Sequence, residues 1–303
     1  MNAYALFALA RRNIKVFLKD KANVFFSLLA PLIVLALYAL FLGRVQTDGI
    51  LAALAEAGVT GGESAVRAFC DSWMLAGSVS CACITVPLCA CGIMVTDRSR
   101  GISADLRIAP LSGWVPPAAY FLSVAAAGLA IGAIVLAVCF LWLAAAGAWF
   151  LTVADVFGCI GTLILSVLSS SALLVFVVGF IRSQGAFTGL NIIFGTVVGF
   201  LIGAYMPISY FPKEVQYFTL FIPGSYTAGL FRNFMMGGAL DNIADTLPPA
   251  FAESLRSEFS LTFDFFGAEI GMPAMAAVLA ACTVLFSACF AGAAYLRQRR
   301  GGK

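Results

Sequence analysis

The sequence predicts an all-α polytopic membrane protein. It has six transmembrane helices, an N-terminal interfacial amphipathic helix, a short cytosolic helix between spans 2 and 3, and re-entrant exterior helices between spans 5 and 6. Three observations predict it. Of 303 residues, 62% are hydrophobic and only 11% charged, with a mean hydropathy of +0.99, whereas a soluble domain carries about 25% charged residues. Uncharged runs close to one bilayer thickness, about 20 residues of helix, recur along the chain. Lysine and arginine collect in alternate connectors, thirteen of the eighteen at the N-terminus, after spans 2 and 4, and at the C-terminus.

The elements follow in order. In residues 1–21, Phe7, Ala10, Ile14 and Phe17 repeat at helical spacing beside a basic stripe of Arg11, Lys15 and Lys19. A basic amphipathic helix of that kind lies in the membrane surface. The first span is Ala22–Gly43, longer than the apolar core of a signal peptide and therefore read as retained. The second is Ser72–Thr96. Ile108–Ala154 carries no charge over 47 residues, too long for one span. Pro116-Pro117 restarts a helix there, so the third span is placed at 118–143, with Trp142 and Trp149 at an interface. Spans four, five and six fall at 156–181, 188–206 and 272–296, and the whole of 1–303 is a single transmembrane domain.

Six spans put both termini on one side, and the positive-inside rule puts that side in the cytosol. Twelve of the fifteen acidic residues lie on the other side or at its edge. The expected location is a plasma membrane, multi-pass, in a bacterial cell. Between spans five and six, 207–271 forms an exterior segment. Val215–Phe231 has no charge over 17 residues but is interrupted by Pro223-Gly224, too short to cross as one helix. It is read as a re-entrant pair of short helices turned at Pro223-Gly224, followed by an acidic cap over Asp241–Glu269.

The connector 97–117 is the most patterned part of the chain. Ile102, Leu106 and Ala109 share one helical face, Arg98, Arg100, Asp105 and Arg107 make the remainder mostly basic, and Pro110 ends the helix. A short helix standing in water between two spans is a contact for a soluble partner.

Chemistry is mostly excluded. Histidine is absent, which removes His-ligated metals and His-dependent nucleophiles. No GxxxxGK[ST], HExxH or GxSxG sequence occurs, so neither a phosphate loop nor a hydrolase signature is present. Catalytic and metal-ligating residues are expected to be none. The nine cysteines read as small apolar filler, with only Cys70 outside a span. Asp155 is the only acid near a predicted span, at its outer end. Span five carries Gly195, Gly199 and Gly203 as GxxxGxxxG, with Asn191 one turn earlier on the same face. Such spacing permits close helix packing, either within the chain or against a second subunit along a transport pathway.

Two motifs carry a resemblance to a known family. Asp97-Arg98-Ser99-Arg100-Gly101, then Leu106, then Ala109-Pro110-Leu111-Ser112 resembles the cytosolic "E-R-x-x-G-t … L … x-P-L-s" loop of the permease subunits of type-2 ATP-binding-cassette exporters, with Asp97 where the family usually has Glu. Phe211-Pro212, Pro223-Gly224-Ser225-Tyr226 and Gly229-Leu230-Phe231-Arg232 are similar to the family's "l-P … P-x-x-Y … x-R" segment. By resemblance, the connector is a coupling helix docking on a separate ATPase, with Asp97, Arg98, Gly101, Ile102, Leu106, Arg107 and Pro110 at the contact. Pro223, Tyr226 and Arg232 mark the re-entrant segment. The resemblance also implies two ATPase copies holding ATP and magnesium, a second permease, identical or homologous, and no cofactor or nucleic acid on this chain. It implies outward transport of drugs, antibiotics, peptides, lipids or glycans. The small, aliphatic walls of spans two and five favour a hydrophobic or amphipathic small substrate of the drug-export branch over a glycan or lipid-linked polysaccharide. A secondary carrier or channel is the reading from a different class. The scarcity of intramembrane charge and the patterned connector stand against it.

Overall fold

The computed structural model describes residues 2–56, 62–244 and 249–301. Thirteen helices are present among them: α1 Asn2–Lys19, α2 Lys21–Ser27, α3 Leu29–Leu37, α4 Gly43–Glu56, α5 Glu63–Ser99, α6 Ile102–Ile108, α7 Val115–Ala145, α8 Val153–Val178, α9 Gln184–Leu201, α10 Lys213–Thr219, α11 Pro223–Ala244, α12 Pro249–Glu258 and α13 Met272–Gly301. Strands β1 Phe263–Phe265 and β2 Ala268–Ile270 form one small antiparallel hairpin, with Phe263 opposite Ile270. Six helical stretches among the described residues are long and apolar enough to cross a membrane. The all-helical polytopic reading therefore holds, with the hairpin as an unforeseen addition.

The first span is a broken rod. Asp20 caps α2 by accepting from the Asn23 amide at 3.1 Å, and the chain kinks at Leu28. Pro31 has no N–H, so the Ser27 carbonyl loses its helical donor. That carbonyl instead accepts from Thr85 Oγ1 of α5 at 2.6 Å. A π-helical turn at Tyr38–Leu42 then carries the span on into α4, well beyond the predicted end at Gly43. The turn places the Tyr38 hydroxyl 2.8 Å from Asp71.

Helix α5 is the axis of the molecule. Its faces are buried nearly all round, as expected of a helix that is apolar without a polar stripe. At 1.5 Å per residue it is about 55 Å long, nearly twice the hydrocarbon thickness and longer than one span requires. The helix starts at Glu63, before the predicted span start at Ser72, and so contains Cys70. Seven cysteines, Cys70 included, are buried as free thiols, consistent with filler. Asp71 lies inside α5 too, so Asp155 is not the only acid near a span. Asp155 is instead a helix cap, exchanging hydrogen bonds with Thr152 in a capping box.

The segment after span five also differs from its prediction. The pair is α10 and a 22-residue α11; the chain turns at 220–222, and Pro223 opens α11 rather than forming the turn. Helix α11 lies against α5, α8 and α13, buried through most of its length. Its far end is covered by a cap in which Phe259 meets Phe69 and Trp73 edge-on at 5.0 and 5.9 Å. Ser209 and Tyr210 bond Glu258 at 2.7 and 2.8 Å.

Candidate functional site

The connector is built on a buried ionic latch. Helix α5 does not end before Asp97 but carries it inward, so its side chain is 2% exposed. Its carboxylate accepts from Arg12 Nη1 at 2.5 Å and Nη2 at 2.8 Å, and from the Tyr120 hydroxyl at 2.7 Å. Three donors on one carboxylate satisfy the group that burial would otherwise penalise. The Asp97 hydrogen bond raises the Arg12 guanidinium above its already high ordinary value.

Arg12 sits on the buried face of α1 with Ala10, Asn13 and Phe17. Arg11, Lys15 and Lys19 are exposed, and so are Tyr4 and Phe7. The predicted apolar stripe is therefore split: Ala10 and Phe17 face the bundle, while Phe7 faces outward. Asn13 Nδ2 reaches Ser123 Oγ at 3.5 Å, and Asn2 Nδ2 reaches Ser112 Oγ at 2.6 Å. Helix α1 thus grips the connector at both ends, at Asp97 and at Ser112.

Two more residues set the connector's path. Arg98 Nη1 donates to the Val178 and Ile181 carbonyls at 3.1 and 2.5 Å, completing the C-terminal end of α8. Gly101 has φ +81°, and a Cβ there would meet nothing within 4 Å. Its need for glycine is conformational and not steric. It reverses the chain, and its carbonyl accepts from the Ala104 amide at 2.8 Å to start α6.

On α6, Ile102 and Leu106 are half-buried and Pro110 beyond it is exposed. The largest outward apolar group is Ile108, 86% exposed. The side chain of Arg107, like those of Arg297, Arg299, Arg300 and Lys303, lies outside the described residues. The predicted contact set thus divides. Asp97 and Arg98 are turned inward to the body, Gly101 is the bend, and Ile102, Leu106 and Pro110 remain on the projecting helix. Arg12, Tyr120 and Ile108 were missed. Nothing in the sequence pairs Arg12 with a residue 85 positions away.

Beside the latch opens a cleft of about 690 Å³ between α1–α3 on one side and α5 and α9 on the other. Arg12, Asp97, Arg100 and Gln184 line its charged end; Leu29, Ile33 and Ile192 line its apolar body. Asn191 and Gly195 line it too, with Asn191 Nδ2 3.5 Å from Cys89 Sγ. The predicted glycine stripe of α9 does not survive as one face. At Gly195 a Cβ would meet nothing within 4 Å, whereas at Gly199 it would fall 2.3 Å from the Tyr205 ring. Gly203 lies beyond the helix at φ +69°. There it closes α9 in a Schellman turn, the Ala204 amide donating to the Gly199 carbonyl at 2.7 Å.

Arg232 reports on the same helix end. It is fully buried, and its Nη2 donates to the Gly203 and Ile202 carbonyls at 2.6 and 3.2 Å. Its guanidinium carbon stands 5.8 Å from the Trp73 ring centre. A cation at a helix C-terminus complements the exposed carbonyl dipoles. Tyr226 does not join it; that ring packs edge-on to Phe263, 6.0 Å away. Pro223, Tyr226 and Arg232 thus share a helix without forming one site.

The family model described as ABC-2 type transporter matches residues 4–236, from α1 through the latch, the connector and the cleft to the Arg232 region. The chain belongs to the ABC-2 type transporter family. It is therefore a transmembrane permease component of an ABC transporter, whose ATPase resides on a separate ABC subunit. A comparison with curated proteins gave no match. Within the permease, the latch and α6 occupy one end of α5, and the cleft opens directly beside them.

Proposed function

We propose that this permease exports a small hydrophobic or amphipathic compound, with α6 as the coupling helix that docks on the ATPase. The observation that carries the reading is the connector itself: a short helix set off by Gly101, presenting Ile108 outward, and rooted by Asp97 in α1, α5 and α7. A load applied to α6 acts on the latch, and the latch bears on the cleft walls. The cleft's charged end and apolar body suit an amphipathic molecule, and its position on α5 and α9 agrees with a pathway next to a second permease. Two ATPase copies, ATP with magnesium on those subunits, cytosolic termini and a bacterial plasma-membrane location complete the proposal. It is tested by mild-detergent extraction of the tagged chain from its own host. An ABC ATPase in the eluate, and export that stops on ATP depletion, are the expected results. Export that persists without ATP, from a chain that brings no ATPase with it, contradicts it.

A further inference from the structure

The hairpin beyond α12 holds a side chain that its turn disfavours. Phe266 and Gly267 join β1 to β2 with φ +52° and +86°. Two left-handed residues make a tight hairpin turn in which Asn or Asp before Gly is favoured. Gly267 fits, and its amide donates to Asp264 Oδ1 at 2.8 Å. Phe266 is a bulky L-residue in a backbone region that sterically opposes its Cβ. Its ring is 69% exposed, so burial in the protein core does not account for it.

That ring belongs to an aromatic rim. Phe266 stacks on Tyr217 of α10 at 4.2 Å and 18°. Phe265 lies 5.0 Å from Phe266 and 5.8 Å from Phe221. Phe218 of α10 and Phe221 in the turn after it are 58% and 71% exposed. Two segments distant in sequence thus bring four rings into contact, with Phe218 exposed next to Tyr217 in the chain. The support beneath is firm: Phe263 is buried with Met275 and Leu279 of α13 and with Tyr226 and Leu230 of α11. Helix α13 starts at Met272, directly after the hairpin, and of its most apolar stretch only 11% is buried within the protein. A span that its own chain leaves so uncovered is open to lipid. The rim continues that uncovered apolar surface at its end. Asp264, Glu269, Lys213 and Glu214 are exposed around it, and aromatic rings edged by charge favour the headgroup boundary of a bilayer.

We propose that Tyr217, Phe218, Phe221, Phe265 and Phe266 insert into the headgroup–acyl boundary of the leaflet at the cap end and anchor α10 and the hairpin to lipid. The anchor fixes the turn between α9 and α11 relative to the membrane plane, independently of what the permease transports. The test places a nitroxide on Phe266→Cys, Phe221→Cys or Asp264→Cys in full-length chain carrying Cys282→Ser and Cys289→Ser, since the other seven thiols are buried. Each protein is held in phosphatidylcholine nanodiscs, and collision with oxygen is compared with collision with a water-soluble nickel chelate. The expected oxygen-to-nickel ratio is several-fold higher at 266 and 221 than at 264. Ratios equal to that at 264 place the rim in water and overturn the proposal, and poor collision with both reagents overturns it in favour of a protein cover. Phe266→Asn suits the turn better than Phe. The anchor therefore predicts that this change lowers the ratio at 221, and an unchanged ratio removes Phe266 from the anchor.

Discussion

Asp97 and Arg12 form a charge pair in which one partner is sealed and the other half open. Arg12 retains 37% side-chain exposure and Asp97 only 2%. Removing Asp97 therefore leaves a cation that can turn to water, while removing Arg12 leaves a buried carboxylate held by Tyr120 alone. Arg12→Ala should destabilise the purified permease more than Asp97→Ala. After allowance for the exposure of Arg12, each loss is about 1–3 kcal/mol, read as a fall in thermal midpoint in detergent. Equal stability of both variants and the wild type would show that the latch holds nothing. Arg12→Lys keeps the charge but not the two-pronged contact and should fall between them. Gly101→Ala meets no clash and should lose only the left-handed backbone preference, about 1–2 kcal/mol. A larger loss would mean that the bend carries more than conformation. Ile108 and Leu106 are separable in the same way. Leu106→Asp puts a charge on a half-buried face and should reduce both folding yield and ATPase binding, whereas Ile108→Asp should reduce binding alone.

At the scale of elements, α9 shows how one motif can serve three ends. Gly195 is open, Gly199 makes room for Tyr205, and Gly203 is a helix stop. Gly195→Cys should be tolerated and should cross-link between permeases if the cleft side of α9 approaches a second copy. Gly199→Val drives a methyl-bearing carbon into a buried ring and should cost about 1–3 kcal/mol, visible as reduced monodispersity and thermal midpoint. A stable Gly199→Val variant would show that Tyr205 is free to move. The four-residue glycine spacing made all three look alike, because it marks positions and not where the helix ends. The end is decided by the Ala204 amide and by Arg232, neither of which a packing motif encodes. The same limit explains α5. Arg67 and Asp71 ended the uncharged run, so the sequence placed a boundary where the helix continues. The hairpin was hidden for a different reason: three-residue strands inside an aromatic-rich stretch are too short to show an alternation.

For the whole molecule, the charge pattern was the most legible signal. Uncharged runs located all six membrane-length helices, Pro116-Pro117 marked the restart at α7, and the connector between spans two and three stood out by its periodicity. What the sequence did not disclose was contact between distant segments: α1 against Asp97 and Ser112, α11 against the end of α9, and the aromatic rim of α10 with the hairpin. These depend on partners far apart in the chain, which periodicity cannot pair. They also give the molecule its logic. Helix α1 grips the connector at both ends, the connector roots in α5, and α5 and α9 wall the cleft.

On the proposed function, α6 is where the ATPase takes hold, with Ile108 as its outermost apolar contact. The most direct measurement is the affinity of the nanodisc-embedded permease for its purified ATPase subunit, compared between wild type and Ile108→Asp at equal thermal midpoint. An apolar anchor at an interface is worth about 1–3 kcal/mol, so the account predicts a loss of affinity of roughly tenfold or more. Unchanged affinity, with the fold intact, would place the ATPase contact elsewhere and contradict the account.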